Sequence, residues 1–322
     1  MKYPAFRQKQ AKPGGTLECM RIRKPFLTAA AGALALVAGL TAPAHATVHA
    51  TVHATVTDPP AAVSVTTGND APAVYGRAAY LMDATSGAEL FSKAGTERMP
   101  IASLTKTMTA YVVLQIARPT DVVRVTREDV AYAEDGGGTT ANLRPGDRLT
   151  VGELLYGLML PSGADAAHAL ARTYGPGVEG FVARMNATAR ALGMNDTEYV
   201  NADGLPMPGG DGYSTARDQA VLAARALRVP LIKEVAGTRR HHLDATGEHR
   251  SYTWRNTNRL LGTPGAIGLK TGFTRAAGYC LAFAGESDGR VLVGVLLDES
   301  ASGRRFGTAE ALLSWGAARQ SA

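Results

Sequence analysis

A chain of 322 residues, 45% hydrophobic and 19% charged, has room for a substantial buried core and the composition of an ordinary globular protein, which excludes a fibrous or wholly disordered one. Its formal charge of +6 invites a nucleic-acid reading, but seven of the 34 basic and one of the 28 acidic residues fall in positions 1–46, so the remaining 27 and 27 balance. No basic surface is left over to follow a phosphate backbone, and nucleic acid is excluded as a partner.

The leader has its own logic. Arg21, Arg23 and Lys24 precede a mostly apolar run, Phe26 to Leu40, and then the small-x-small site Ala44-His45-Ala46. That is the layout of a secretory signal peptide over residues 1–46, and the run is too short to span a bilayer. The expectation is a secreted protein, extracellular or wall-associated, without a transmembrane anchor. Met20 stands directly before the basic cluster and is a candidate true start, in which case Cys19 is not part of the protein. The exported form keeps one cysteine, Cys280, so an internal disulfide is excluded. Residues 45–56 then repeat His-Ala-Thr-Val three times and run into a Pro/Ala/Thr/Gly tract. Such composition cannot bury a core, so residues 47–73 read as a disordered linker before a folded domain over 74–320. The evenly spaced His45, His49 and His53 belong to that repeat and read as low complexity, not as a metal site.

Within the domain, Ala78–Asp83 and Glu89–Lys93 are strand-like runs around the turn Ala84-Thr-Ser-Gly87. A helix opens near Ala102, with Leu104, Met108 and Val112 at helical spacing. A short strand at Val122–Val125, an irregular Gly136–Gly138 loop and a turn at Arg144–Arg148 follow. Helical patterns cover Val151–Met159, Ala164–Tyr174, Val178–Leu192 and Thr215–Ala226, the last with Ser214 placed to cap it. Beyond Arg239 the texture returns to strands, at Ala266–Lys270, Tyr279–Gly285 and Val291–Leu297. An amphipathic helix near Phe306–Ala318 closes the chain. Strands at both ends with helices between predict an α/β (α+β) fold. Its antiparallel sheet is built from the two chain ends and flanked by helices, and an all-helical lobe is inserted over about 101–239.

Three clusters could carry chemistry. Ser103 and Lys106 are i and i+3 on one helix face, close enough for a hydroxyl nucleophile and an amine base, provided the amine is neutral. The first helical turn also aims free N–H groups beside Ser103, where an oxyanion could develop. The alternative is a Ser N-cap with a solvated Lys. Ser162, between two helices in Leu158-Met-Leu-Pro-Ser-Gly-Ala164, can face a cleft and pass a proton, or can simply cap the next helix. Lys270-Thr271-Gly272-Phe273 reads as an edge strand able to hold an anion while an extended peptide pairs along it, or as a solvated lysine guarding that edge.

In this order and spacing the clusters resemble the Ser-x-x-Lys, Ser-x-Asn and Lys-Thr-Gly motifs of the penicillin-recognising serine enzymes. More narrowly the chain is similar to the serine-type D-alanyl-D-alanine carboxypeptidases, the low-molecular-mass penicillin-binding proteins. Leu143-Arg-Pro-Gly-Asp147, Asn201-Ala-Asp-Gly-Leu205, Tyr213-Ser-Thr-Ala-Arg-Asp218 and Asn256-Thr-Asn-Arg-Leu-Leu261 extend the likeness from about Val74 to Ala318. The resemblance implies a β-lactamase/transpeptidase-like fold and removal of the terminal D-Ala from peptidoglycan stem peptides ending in D-Ala-D-Ala.

In that reading Ser103 is the nucleophile, Lys106 the base and Ser162 the proton relay. Burial and the second cation, Lys270, depress the Lys106 amine. Lys270 and Thr271 hold the terminal carboxylate, and Gly272 lets the backbone approach closely. The oxyanion lies between the N–H groups of Ser103 and Phe273. No cofactor or metal is implied, and β-lactams would acylate Ser103. The pair His241-His242 reads as solvated, and His168 as packing. A class A β-lactamase would need Ser-Asp-Asn and a deacylating Glu, where this chain has Ser162-Gly-Ala164 and a differently spaced Glu198. A non-catalytic wall binder is the other alternative. One position departs from the family pattern: Ala164 stands where Asn is usual. The missing amide would leave fewer polar contacts in the site and slow acylation by roughly ten- to a hundredfold.

Overall fold

Strands drawn from the two ends of the chain meet in one sheet, and the alternation of their side chains decides what covers each face. The computed structural model describes residues 70–319, so the leader, the repeat and most of the expected linker lie outside the described residues. Strands β1 (Ala78–Asp83) and β2 (Glu89–Lys93) form the expected hairpin. The C-terminal third supplies β7 (Ala266–Thr274), β8 (Gly278–Ser287) and β9 (Arg290–Glu299), and the antiparallel order is β2-β1-β9-β8-β7. On one face Tyr80, Val293, Val295, Leu297, Ala282 and Ala284 join the core of the helical lobe. On the other, Leu81, Leu281, Phe283, Leu292 and Leu296 meet Phe306 and Leu312 of the closing helix α8 (Arg304–Ala317). A sheet covered on both faces needs near-continuous apolar strands, which is how β8 and β9 read.

Between the sheet's halves a 3₁₀ turn (Ala102–Leu104) leads into α1 (Thr105–Ile116). Then come β3 (Val122–Arg124), α2 (Arg127–Asp135), β4 (Arg148–Thr150), α3 (Val151–Met159) and α4 (Ala164–Tyr174). The lobe is completed by α5 (Gly177–Ala191), α6 (Ala216–Ala226), α7 (Pro230–Gly237) and the hairpin β5 (Arg240–Leu243)–β6 (Tyr252–Arg255). Helix α1 is the lobe's axis: Thr105 through Ala110, Val112 and Val113 are all buried, so Lys106 is carried on a helix enclosed by α3, α4, α5 and α6. No helix among the described residues is long and apolar enough to cross a membrane.

Four expectations are corrected. Helix α2 was not anticipated because Arg127–Asp135 is mostly polar, although Thr126 and Asp129 form a capping box that marks its start. Arg148, expected to end a turn, begins β4, which pairs with β3. Helix α6 is capped by Thr215, whose hydroxyl accepts from Asp218 N (3.0 Å), while the Ser214 hydroxyl meets Thr197 and Gln219. His241 is half-buried with its ring stacked on Tyr156 at 3.7 Å, so only His242 of that pair is solvated.

Candidate active site

The chain reverses sharply before α1, and the reversal puts Ser103 at the mouth of a cleft. Ala102 takes φ 48°, a left-handed backbone that costs a non-glycine residue about 1–2 kcal/mol. Gly204 presses on the same point: with φ +80°, a Cβ there would lie 1.9 Å from the Ala102 carbonyl oxygen, so only glycine fits. From the other side Gly272 brings strand β7 close, since a Cβ there would stand 3.1 Å from Ile101 O and 3.3 Å from Ser103 N. The outermost strand of the sheet is therefore held against the start of α1.

Lys106 follows one turn on and is 1% exposed. Its Nζ donates to Ser103 Oγ (3.2 Å) and to the main-chain oxygen of Asp203 (2.9 Å), both neutral acceptors. Burial lowers the pKa of this amine, against the carboxylates of Asp203 and Asp165, which raise it. The solvated-lysine alternative is thus set aside, as is the Ser N-cap, since the turn has no side-chain cap.

Ser162 sits on the connection between α3 and α4. It too adopts a left-handed backbone, φ 70°, and its buried Oγ has no hydrogen-bond partner within the protein. It does not cap α4, whose N-cap is Gly163 without a side-chain bond. Backbone contacts hold the connection instead: Thr139 Oγ1 donates to Ser162 O (2.7 Å), Ala164 N to Thr139 O (2.8 Å) and Thr257 N to Leu160 O (3.1 Å). Asp165 ties the facing loop down, accepting from Ala141 N, Leu143 N and Ala166 N, and burial raises its pKa.

Lys270 is 1% exposed, which removes the solvated-edge alternative. Its Nζ donates to Thr271 O (2.9 Å), and burial, then Lys106, then Arg305, hold its pKa well below the ordinary lysine value. Burial is the largest cause of the lowering at both amines, and the two also repel each other. Thr271 Oγ1 pairs with Thr257 Oγ1 at 2.7 Å. Phe273, 52% exposed on the rim, stacks on Tyr279 at 4.4 Å.

These pieces surround one cleft of about 290 Å³, lined by Ser103, Lys106, Ser162, Thr271, Gly272 and Phe273, with Gly137, Gly138 and Leu205 opposite. Three further lining residues, Thr139, Arg305 and Thr257, were not singled out from sequence. Arg305, near the start of α8, donates from Nη1 to Gly272 O and Cys280 O (both 2.9 Å), and its buried Nε has no partner. Nothing in its local sequence marks it; only the packing of α8 brings it to β7. Thr257 lies within the Asn256–Leu261 stretch already noted as family-like. His168, read as packing, is buried as expected, and its Nδ1 is also 2.7 Å from Asp129 Oδ1.

Ala164 does not face the cleft as expected. It is wholly buried, and Gly138 lies over it so closely that a Cβ on Gly138 would be 3.1 Å from the Ala164 methyl and 2.9 Å from Leu205 Cδ1. The place is occupied by an apolar contact.

Comparison with known proteins agrees with this geometry. Residues 65–301 match the family profile described as D-alanyl-D-alanine carboxypeptidase. The chain belongs to that family. It is 36% identical over 258 residues to the D-alanyl-D-alanine carboxypeptidase of Streptomyces sp. (strain K15), covering 76% of this chain and 88% of that one. It is 35% identical over 256 residues to DacC of Escherichia coli (strain K12), covering 77% of this chain and 62% of the relative's length. Among solved structures, the Streptomyces K15 DD-transpeptidase superposes with a TM-score of 0.73 at 34% identity, over 77% of this chain and 98% of that one. The D-alanyl-D-alanine carboxypeptidase of Mycobacterium tuberculosis H37Rv gives 0.71 at 30% identity, over 78% and 94%. The fold is accordingly that of the β-lactamase/transpeptidase class, and this carboxypeptidase family member is a serine-type peptidase.

Proposed function

We propose that Ser103 is the nucleophile with which this carboxypeptidase removes the terminal D-Ala from peptidoglycan stem peptides. The observation that carries the reading is the buried amine of Lys106, depressed in pKa and 3.2 Å from Ser103 Oγ. Lys106 takes the hydroxyl proton as Ser103 Oγ attacks the carbonyl carbon of the penultimate D-Ala. Ser162, with an uncommitted hydroxyl, carries that proton to the leaving amine as the C–N bond breaks and D-Ala departs. Main-chain N–H groups of Ser103 and Phe273 receive the oxyanion, fixed in place before the reaction by the close approach at Gly272.

The terminal carboxylate is met by Thr271 and by Arg305, whose positive charge lines the cleft, with Lys270 behind them. Water then releases the shortened stem peptide from Ser103, or an amine captures it. A β-lactam presents the same carbonyl and carboxylate and acylates Ser103. The leader ending at Ala46 supports export, which places the enzyme with its substrate in or near the wall.

The test is release of free D-Ala from an acyl-D-Ala-D-Ala peptide, with labelling by fluorescent penicillin alongside. Both are expected of the wild type and neither of Ser103→Ala. A labelled Ser103→Ala protein removes Ser103 as nucleophile, and fast turnover of penicillin without D-Ala release would make the enzyme a β-lactamase instead.

A further inference from the structure

The turn that bears Asp203 is built with unusual rigidity for a segment that only connects α5 to α6. Asn201 Oδ1 accepts from Gly204 N (2.7 Å) and Asp203 N (3.3 Å), and Asn201 Nδ2 donates to Leu205 O (2.7 Å). Gly204 then seats the turn on the Ala102 carbonyl, one residue before Ser103. Asp203 is 1% exposed and works at two points. Its main-chain oxygen accepts from Lys106 Nζ at 2.9 Å. Its carboxylate accepts at Oδ1 from Leu205 N (2.9 Å) and Tyr132 OH (3.3 Å), while Oδ2 is buried without a partner.

Tyr132 is itself fixed. Its ring stacks on His168 at 4.5 Å, and His168 Nδ1 is 2.7 Å from Asp129 Oδ1. Asp129 also accepts from Arg172 and Thr126, so the network is anchored to α2 and α4 together.

The charges around Lys106 are unequal. On one side lies Lys270 of β7, an amine that burial itself pushes toward the neutral form, with the guanidinium of Arg305 from α8 beyond it. Asp165 from α4 brings a carboxylate, but one whose oxygens are spent on three main-chain N–H groups. Asp203 brings the other carboxylate, with one oxygen uncommitted. A proton-accepting amine must be neutral before attack yet basic enough to take a proton from a hydroxyl. Burial pushes the amine toward its neutral form, and a nearby negative charge pulls it back toward the protonated one.

We propose that Asp203 is a positioning residue of this active site: its main-chain oxygen aims Lys106 Nζ at Ser103, and its carboxylate, steadied by Tyr132, supplies the negative charge that decides when Lys106 holds a proton. The inference rests on the assignment of Ser103 and Lys106 above, and the two can fail separately. Penicillin acylation needs the neutral amine, so its rate rises with pH along an acidic limb set by Lys106.

The experiment compares that limb, from pH 5 to 10, in wild type, Asp203→Asn and Tyr132→Phe, with thermal melts of each. Asparagine keeps an oxygen for Leu205 N and Tyr132 OH but removes the charge. The limb is expected to move down by about one pH unit, so that below both midpoints Asp203→Asn keeps about ten times more of its plateau rate than wild type. Tyr132→Phe keeps the ring stack and removes the donor that tempers the carboxylate, so its limb moves up by about half a unit. A lowered plateau with the limb unmoved in both variants would make Asp203 merely structural and overturn the proposal. If Asp203→Asn does not fold, an unmoved limb in Tyr132→Phe overturns it alone. Labelling of Ser103→Ala at the wild-type rate would instead sink the nucleophile assignment.

Discussion

Replacing Ser162 with glycine is expected to make this enzyme more stable and far less active. Ser162 holds φ 70°, a backbone that costs a non-glycine residue about 1–2 kcal/mol. Its Oγ is buried without a protein partner, which costs about 1–3 kcal/mol more. Glycine removes both costs and returns about 0.5–1 kcal/mol as extra unfolded-chain entropy. The net gain is about 2 kcal/mol, or roughly 4–8 °C in melting temperature for a body of this size.

Ser162→Ala keeps the strained backbone and loses only the hydroxyl, so the difference between the two variants isolates the backbone contribution. Both should release D-Ala about 10²–10⁴ times more slowly, the usual loss for a positioned proton carrier. The assays are thermal unfolding and D-Ala release from an acyl-D-Ala-D-Ala peptide. A glycine variant that melts at or below the wild type, or that keeps its release rate, refutes the idea that this residue exchanges stability for proton transfer.

Three further outcomes are expected. Ala164→Asn must fit an amide beneath Gly138 and Leu205, so it should cost about 1–3 kcal/mol in urea unfolding without speeding penicillin acylation; faster acylation would show that the amide does reach the cleft. Asp129→Asn breaks the buried contacts to His168 and Arg172 and should cost about 3 kcal/mol near neutral pH. Burial works to raise the Asp129 pKa, but bonds from His168, Arg172 and Thr126 outweigh it and hold it well below the usual 3.8, so its stabilisation is full above about pH 4 and fades as pH falls toward the folded value. Urea melts from pH 7 down to 2 should show that acid-side slope in wild type and a flatter one in the variant. Gly204→Ala would drive a methyl group to 1.9 Å from the Ala102 oxygen and should cost more than about 3 kcal/mol or prevent folding, read by circular dichroism and yield.

The residues that report their partners through spacing were legible. Short apolar runs broken by turn residues marked the sheet strands, and helical periodicity placed α3 and α4 at their observed bounds, because these patterns are local to a single element. Ser103 and Lys106 were readable together because they share a helix turn. Helix α2 was hidden by its polarity, since its stability comes from a capping box and from Asp129 reaching across to α4, neither of which leaves an apolar rhythm. The stacked, half-buried ring of His241 was hidden for a similar reason, its partner Tyr156 lying some 85 positions away.

The sequence by itself determined which functional groups were available and which of them ride on a common element: the seryl hydroxyls, the two lysines and the strand edge. Only the tertiary structure decided their state. It buried Lys106 and Lys270, strained Ser162, covered Ala164, and brought Arg305, Thr257 and Asp203 in from distant segments. Proton affinity and orientation depend on what surrounds a group in space, and here those surroundings come from contacts between residues about a hundred positions apart, as with Lys106 and Asp203.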